Sequence, residues 1–232
     1  MLEFGYYNMD CMEGMVQFPD KFFDLAIVDP PSGQDFDEEI PGMVLNSKPE
    51  RWKEPKLKGY YRNKQWDIKP NKKYFIELFR ISKNQIIWCA NHYKLPQSSG
   101  WIFWDKETGS FSLGDGELAW TSFQRAVRQF TYLWHGFRKH KYENRIHPTQ
   151  KPVALYRWLL QNYAKPGDRL IDTHVGSASS LIAFEMEGFY DYVGFELDKD
   201  YYRDSKNRLE QWRKNRHPEL FEVSEYRQAV NY

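Results

Sequence analysis

The residues best suited to chemistry in this 232-residue chain are Asp29, Pro30, Pro31 and Ser32, which leave the apolar run Phe22 to Val28. Two prolines at the mouth of a buried strand withdraw backbone donors and stiffen the turn. A carboxylate and a carbonyl oxygen are then presented side by side with no local N–H to quench them, and such an acceptor pair suits an amine. Pro-Pro also ends strands without any functional meaning, so the pair takes its significance from two further motifs.

The first is His147-Pro148-Thr149-Gln150-Lys151-Pro152, running into Val153 to Leu160. Pro152 suits the first turn of a helix, Thr149 or a neighbour can cap it, and apolar residues recur at helical spacing until Lys165-Pro166-Gly167-Asp168. The second motif is Arg169 to Ser180: a short strand closing on Asp172, a turn of small residues, and a helix that ends at Gly188. Tyr192 to Glu196 then reads as another strand closing on an acid. Glu196 follows Asp172 by 24 residues, near the spacing at which an acid beyond a nucleotide-binding strand meets ribose hydroxyls. A dinucleotide fold needs three glycines to admit a pyrophosphate, whereas this turn has Gly176 with Ala178 and serines at the other small positions. The expected ligand is a nucleoside without phosphates. S-adenosylmethionine fits, with adenosine on one side, a zwitterionic methionine on the other and an electrophilic methyl between.

In this order the segments resemble the β-class DNA amino-methyltransferases, which modify adenine at N6 or cytosine at N4. They are most similar to the small methylases of phages and mobile elements, which also carry stretches like Asn84 to His92 and Glu117 to Ser122. The resemblance covers nearly the whole chain. It implies an α/β, Rossmann-like S-adenosylmethionine-dependent methyltransferase fold with a mostly parallel seven-stranded sheet and a circularly permuted motif order. It assigns Asp29, Pro30, Pro31 and Ser32 to catalysis, with Asp29 also bordering the cofactor. Asp172, His174 and the turn Gly176, Ser177, Ala178 and Ser179 go to the methionine end, Thr149 and Lys151 to its carboxylate, Glu196 to the ribose, and Asp10 with Cys11 to the adenine. Taken alone, Glu196 also reads as an ordinary strand-end acid and Asp10 as a helix cap. The resemblance further implies double-stranded DNA as partner and a flipped-out target base; a homodimer and a partner restriction nuclease are expectations that the sequence leaves open.

One departure matters. The fourth residue of the catalytic box is an aromatic in the family, stacking on the flipped base, and here it is Ser32. Losing a stacking face costs roughly 1–3 kcal/mol per base. Either Phe36 or another aromatic of the following loop stands in, or the chain is an impaired, DNA-binding remnant. A protein or small-molecule methyltransferase is a further alternative, because Pro-Pro boxes also hold glutamine amides; the His147 to Pro152 box and the motif order point instead to DNA, with adenine N6 ahead of cytosine N4.

Net charge is +1, so the global balance carries no sign of nucleic acid, but its distribution does. Ser47 to Lys73 holds ten Lys/Arg against three acids, interleaved with Trp52, Tyr60, Tyr61 and Trp66. Phosphate attraction and base stacking use these residue types, so a DNA-contacting loop is expected at about 33–72, with Arg51, Lys53, Arg62 and Lys64 as contacts. A smaller recognition segment is expected at about 123–146, through Arg125, Arg128, Arg138 and Lys139. His135 and His140 have no Cys or acid at ligand spacing, so no metal site is read. Two cysteines, no membrane-length apolar run and no signal peptide suit a cytoplasmic, single-domain protein. Strands are expected near Phe4 to Tyr7, Leu25 to Val28, Gln85 to Cys89, Trp101 to Trp104, Glu117 to Thr121, Arg169 to Asp172 and Tyr192 to Phe195. Helices are expected near Lys73 to Ile81, Val153 to Tyr163, Ala178 to Glu187 and Lys199 to Asn215.

Overall fold

In the computed structural model, which describes residues 1–32, 68–108, 115–135, 138–139 and 145–216, the centre of the sheet is β2 (Phe23–Val28). Its near-continuous apolar run is what a parallel strand buried on both faces requires, and Leu25 to Val28 are at most 1% exposed. The other strands are β1 (Gly5–Asn8), β3 (Ser82–Trp88), β4 (Trp101–Asp105), β5 (Gly116–Thr121), β6 (Arg128–Thr131), β9 (Leu170–Asp172) and β10 (Tyr192–Glu196), in the order β1-β10-β9-β2-β3-β5-β4-β6. All are mutually parallel except β5, which runs against both β3 and β4. The expected seven strands are therefore eight. The extra one, β6, comes from the segment read as a recognition loop; it adds to the open edge of β4, and Phe130 packs on Trp158 with ring centroids 5.4 Å apart. A separate ribbon pairs β7 (Trp134–His135) with β8 (Arg138–Lys139).

Helices cover both faces. On one side α3 (Val153–Tyr163), α4 (Ser179–Met186) and α5 (Lys199–Arg216) bury Leu155, Leu159, Leu181, Phe184 and Leu209 against the sheet. On the other, α1 (Cys11–Met15) and α2 (Lys72–Ile81) bury Met15, Tyr74, Phe75, Leu78 and Ile81. The sequence pattern anticipates four of these within two residues, but not α1, a single turn too short for periodicity to show. Asp10 caps it, accepting from Met12 N–H at 2.8 Å. The helix α3 differs at its start: its N-cap is Pro152 with no side-chain cap, so Thr149 does not fill the role expected of it.

Strand order decides where the chemistry sits. From β2 the chain crosses through α2 to β3 on one side, whereas from β9 it crosses through α4 to β10 on the other. The neighbouring strands β2 and β9 thus flank the switch point where crossovers diverge, and a crevice opens beyond their carboxyl ends. Asp29 follows the last residue of β2, Asp172 ends β9, and Glu196 ends β10.

The helix α1 is set against β10 through Gly14. A Cβ there would lie 2.3 Å from the buried Phe195 ring. Gly14→Ala should therefore destabilise the protein: the gain in helix propensity, about 1 kcal/mol, is outweighed by overpacking against an immobile ring, typically 1–3 kcal/mol and more for a severe clash. Urea denaturation of the two proteins measures the difference.

Candidate active site

At the mouth of β2 the Asp29 carboxylate is held from two sides. Oδ2 accepts from Lys151 Nζ at 2.5 Å, and Oδ1 faces Cys89 Sγ at 3.8 Å. Cys89 follows β3 with φ of 54°, a left-handed conformation unusual for a residue with a Cβ, and burial pushes its thiol up to about 12, so it stays a neutral S–H donor. The prolines supply no donors, as expected, yet their carbonyls are not free: the Tyr93 hydroxyl lies 2.7 Å from Pro30 O and 2.9 Å from Pro31 O. Tyr93 comes from the turn beyond β3 and had no local signal pointing to the box. A carbonyl oxygen has two lone pairs, so Pro30 O keeps capacity for a second donor.

Lys151 is where the structure departs most from expectation. The resemblance sends its ammonium to the cofactor carboxylate, but it is 4% exposed and lies between Asp29 and Glu117, whose Oε2 is 2.9 Å away. The other Glu117 oxygen meets Lys106 Nζ at 2.5 Å. Burial raises the Asp29 carboxyl and Lys151 opposes it, whereas two neighbouring ammoniums hold Glu117 down at about 2.

Beyond β9, most of the expected cofactor residues form the turn itself. Asp172 is 1% exposed, accepts from Ser180 Oγ at 2.5 Å and from His174 N–H at 3.0 Å, and burial pushes it up to about 7. Gly176 adopts φ of 55° and Ala178 φ of 60°, which opens α4 without a side-chain cap. Glu196 braces this turn: one oxygen accepts from Gly176 N–H and the other from Asp198 N–H, both at 2.9 Å. Arg208 of α5 donates to Ser177 O at 2.6 Å and to Ser179 Oγ at 2.9 Å. The His147 ring lies over Gly176, 3.6 Å from where a Cβ would stand, and packs on Tyr201 with centroids 4.3 Å apart. Burial lowers His147 to about 3 and His174 to about 4, so both rings are neutral.

These two halves share one cavity of about 1150 Å³. Asp10, Cys11, Asp29, Pro30, Pro31, Ser32, Thr149, Lys151, His174, Gly176, Ser177 and Glu196 border it, as do His147 and Glu117, which sequence reasoning did not single out for the site. Asp172, Ala178 and Ser179 do not; they stand behind the wall and shape it. The space exceeds the 300–1,000 Å³ usual for one small-molecule site, and a nucleoside cofactor fits it. Glu196 supplies acceptors for sugar hydroxyls, Met9 and Met12 an apolar wall, and the open turn at Gly176 bare backbone.

The expected DNA contacts divide. Arg51, Lys53, Arg62, Lys64, Phe36 and Trp52 lie outside the described residues, and of the side chains of Arg138 and Lys139 nothing is described. Arg125 and Arg128 are displaced: β6 runs parallel to β4, so its amino end lies at the sheet edge opposite the cavity. There Arg125 donates to Asn162 O at 2.8 Å and covers the Phe123 and Tyr163 rings. The ribbon β7–β8, by contrast, lies beside the cavity, with Trp134 Nε1 donating to Gln150 O at 2.9 Å. Lys69, Lys72 and Lys73, the end of the basic run, are exposed at the rim where α2 begins. Among the described residues no helix is long and apolar enough to cross a membrane, and no group of three His, Cys, Asp or Glu side chains is placed to hold a metal.

An open, mostly parallel sheet, an acid at the end of each strand flanking the switch point and a cavity with room for a nucleoside cofactor beyond them define the class: an S-adenosylmethionine-dependent methyltransferase fold. The chain belongs to the DNA methylase family of N6 and N4 amino-methyltransferases, which matches it over residues 52–207 and whose methyl donor is S-adenosylmethionine. YubD of Escherichia coli (strain K12), provisionally named a methylase, is 24% identical over 208 residues, which cover 86% of this chain and 87% of that protein. Two solved structures share the fold. The PvuII DNA methyltransferase (cytosine-N4-specific) has a TM-score of 0.53 at 11% identity, over 92% of this chain and 93% of its own. M1.HpyAVI in its SAM complex has a TM-score of 0.52 at 17% identity, over 90% and 100%.

Two outcomes are expected. Tyr93→Phe frees the Pro30 and Pro31 carbonyls, so it should cost about 1 kcal/mol of stability and about tenfold in methyl transfer, cofactor affinity being unchanged by calorimetry. Asp172 titrates at about 7 when folded and near 4 when unfolded, so the folded state holds its proton more tightly and the stability it contributes is lost as pH rises from about 4 to about 7. Asp172→Asn should remove that slope, gaining on the wild type in unfolding experiments as pH is raised from about 5 to about 7.5.

Proposed function

We propose that this protein transfers a methyl group from S-adenosylmethionine to N6 of adenine in double-stranded DNA. The observation that carries the reading is the acceptor pair of Asp29 and Pro30 opening into the same cavity as the Gly176 turn and Glu196. When bound, the cofactor supplies an electrophilic methyl on a sulfonium. Glu196 would hold the ribose hydroxyls, Asp10 to Met12 the adenine ring, and Thr149 with the backbone of the turn the amino-acid end.

The chain's own part is positioning and electrostatics. An exocyclic amine is a poor nucleophile because its lone pair is delocalised into the ring. The Asp29 carboxylate and the Pro30 carbonyl accept its two N–H bonds in the geometry of the rehybridised nitrogen, which aims the lone pair along the line of transfer. Tyr93 and Cys89 keep both acceptors from turning away. The base reaches them only after leaving the duplex. Lys69, Lys72 and Lys73 at the rim, with the ribbon β7–β8 and the loop at about 33–72, are the surfaces we assign to the DNA. Ser32 borders the cavity beside the acceptors, where the base would lie against it; an aromatic of the following loop is the proposed stacking partner.

Digestion and mass spectrometry of DNA treated with the protein should yield N6-methyladenine. N4-methylcytosine instead would overturn the choice of base and keep the site. Asp29→Ala should reduce transfer by at least about 100-fold while leaving cofactor affinity within a few fold, because its hydrogen bonds form with the base and strengthen in the transition state. A variant that retains turnover would remove Asp29 from the mechanism.

A further inference from the structure

The Lys151 ammonium stands at a junction of three elements. It precedes α3, and it touches Asp29 beyond β2 and Glu117 on β5. The Trp88 ring lies 5.6 Å from it, and Lys106 closes the far side of Glu117. The result is a row of alternating charges, Asp29, Lys151, Glu117 and Lys106, that sums to zero. The two contacts of Lys151 are unequal. That to Asp29 is an aligned hydrogen bond, whereas Glu117 Oε2 has Coulombic contact at 2.9 Å but no aligned donor. Glu117 Oε2 therefore has an empty hydrogen-bonding direction next to an ammonium that is bonded elsewhere.

An incoming amine needs an acceptor on Asp29, and Lys151 occupies one of the two lone pairs of Oδ2, so the amine either shares that oxygen with the ammonium or gains the whole of it when the ammonium turns away. If the lysine left the site, two carboxylates would face one another in a buried place, one would protonate, and a protonated Asp29 donates where it must accept. The other groups around Asp29 do not replace the cation. Cys89 from the turn beyond β3 and Tyr156 from α3 are neutral, and Asp172 on β9 adds charge of the wrong sign once ionised.

Resting on the assignment of Asp29 as the amine's acceptor, we propose that Lys151 is a positioning residue for Asp29, not an anchor for the cofactor carboxylate, and that Glu117 is the rest onto which its ammonium moves when the amine takes Oδ2. Lys151 keeps Asp29 ionised and correctly rotated in the free enzyme and remains within Coulombic reach during transfer. Glu117 makes the exchange cheap, because the hydrogen bond given up at Asp29 is regained at Oε2.

The test compares Lys151→Met and Glu117→Gln with the wild type, in the full chain, by three readouts: the Asp29 titration followed by NMR of carboxyl-labelled aspartate, S-adenosylmethionine affinity by calorimetry, and the pH profile of methyl transfer. Lys151→Met should raise the Asp29 midpoint by about one pH unit or more and move the acidic limb of the profile with it, so that transfer on that limb falls about tenfold per unit, with cofactor affinity within about threefold. Glu117→Gln should act in the opposite sense on the midpoint, lowering it, and should raise KM for DNA more than it lowers kcat, since the ammonium then has only a neutral amide oxygen to move to. Should Lys151→Met not fold, the double variant with Glu117→Gln leaves Asp29 without a like-charged neighbour, and its raised midpoint serves the same purpose. A loss of cofactor affinity of about tenfold or more, with the Asp29 midpoint unmoved, would overturn the proposal and return Lys151 to the cofactor. Because the titration needs no substrate, an enzyme whose Asp29→Ala variant still transfers methyl groups would refute the mechanism without disturbing this result.

Discussion

Keeping a carboxylate charged while taking it out of water is the constraint on which this site turns. Asp29 lies just beyond the end of a strand with its side chain only 13% exposed, and an isolated carboxylate in such a place is pushed toward its protonated form. The contact with Lys151 opposes this, and the position of Lys151 in turn depends on Pro152, which starts α3, and on Glu117, reached through the antiparallel turnaround of β4 and β5. Two stretches of sequence, each more than 85 residues from Asp29, are thus tied to it through one ammonium nitrogen, that of Lys151. The sheet order makes this possible, because β5 is inserted beside β3 and brings Glu117 to the same edge as Asp29.

The cofactor half is built on a different principle. Its turn carries little charge of its own and is shaped by side chains that grip backbone: Asp172 accepts from the His174 N–H, Glu196 accepts from the Gly176 N–H, and Arg208 donates to the Ser177 carbonyl. Each supporting group comes from a rigid element, respectively β9, β10 and α5. A turn that offers bare backbone to a ligand must be held open without a side chain filling it, and gripping the loop from behind does this. It also explains why Asp172, for all its place in the motif, stands outside the cavity wall.

Where the sequence leaves the site illegible, a single cause recurs. It shows neither the contact of Lys151 with Asp29 nor the links of Tyr93 and Glu117 to the acceptor box, nor the edge of the sheet at which Arg125 and Arg128 stand. Each depends on which end of a strand a residue occupies, or on a neighbour distant in the chain. A basic residue in a loop looks the same at either edge of a sheet, and only the parallel pairing of β6 with β4 shows that Arg128 starts at the far one. Charge composition registers affinity for phosphate without registering direction.

By itself the sequence determined the elements and their kind. Eleven of the described strands and helices lie within a few residues of where apolar periodicity, prolines and glycines put them, because those signals act through the local backbone. It also implied that the acids Asp29 and Asp172 would come together, since residues closing parallel strands gather at the carboxyl edge. The tertiary structure decided who pairs with whom at that edge: that Lys151 contacts Asp29, that Tyr93 donates to the proline carbonyls, and that the sheet takes an eighth strand. The reason is physical. A hydrogen bond or ion pair is fixed by distance and direction between side chains from different elements, and no local preference of the chain encodes either.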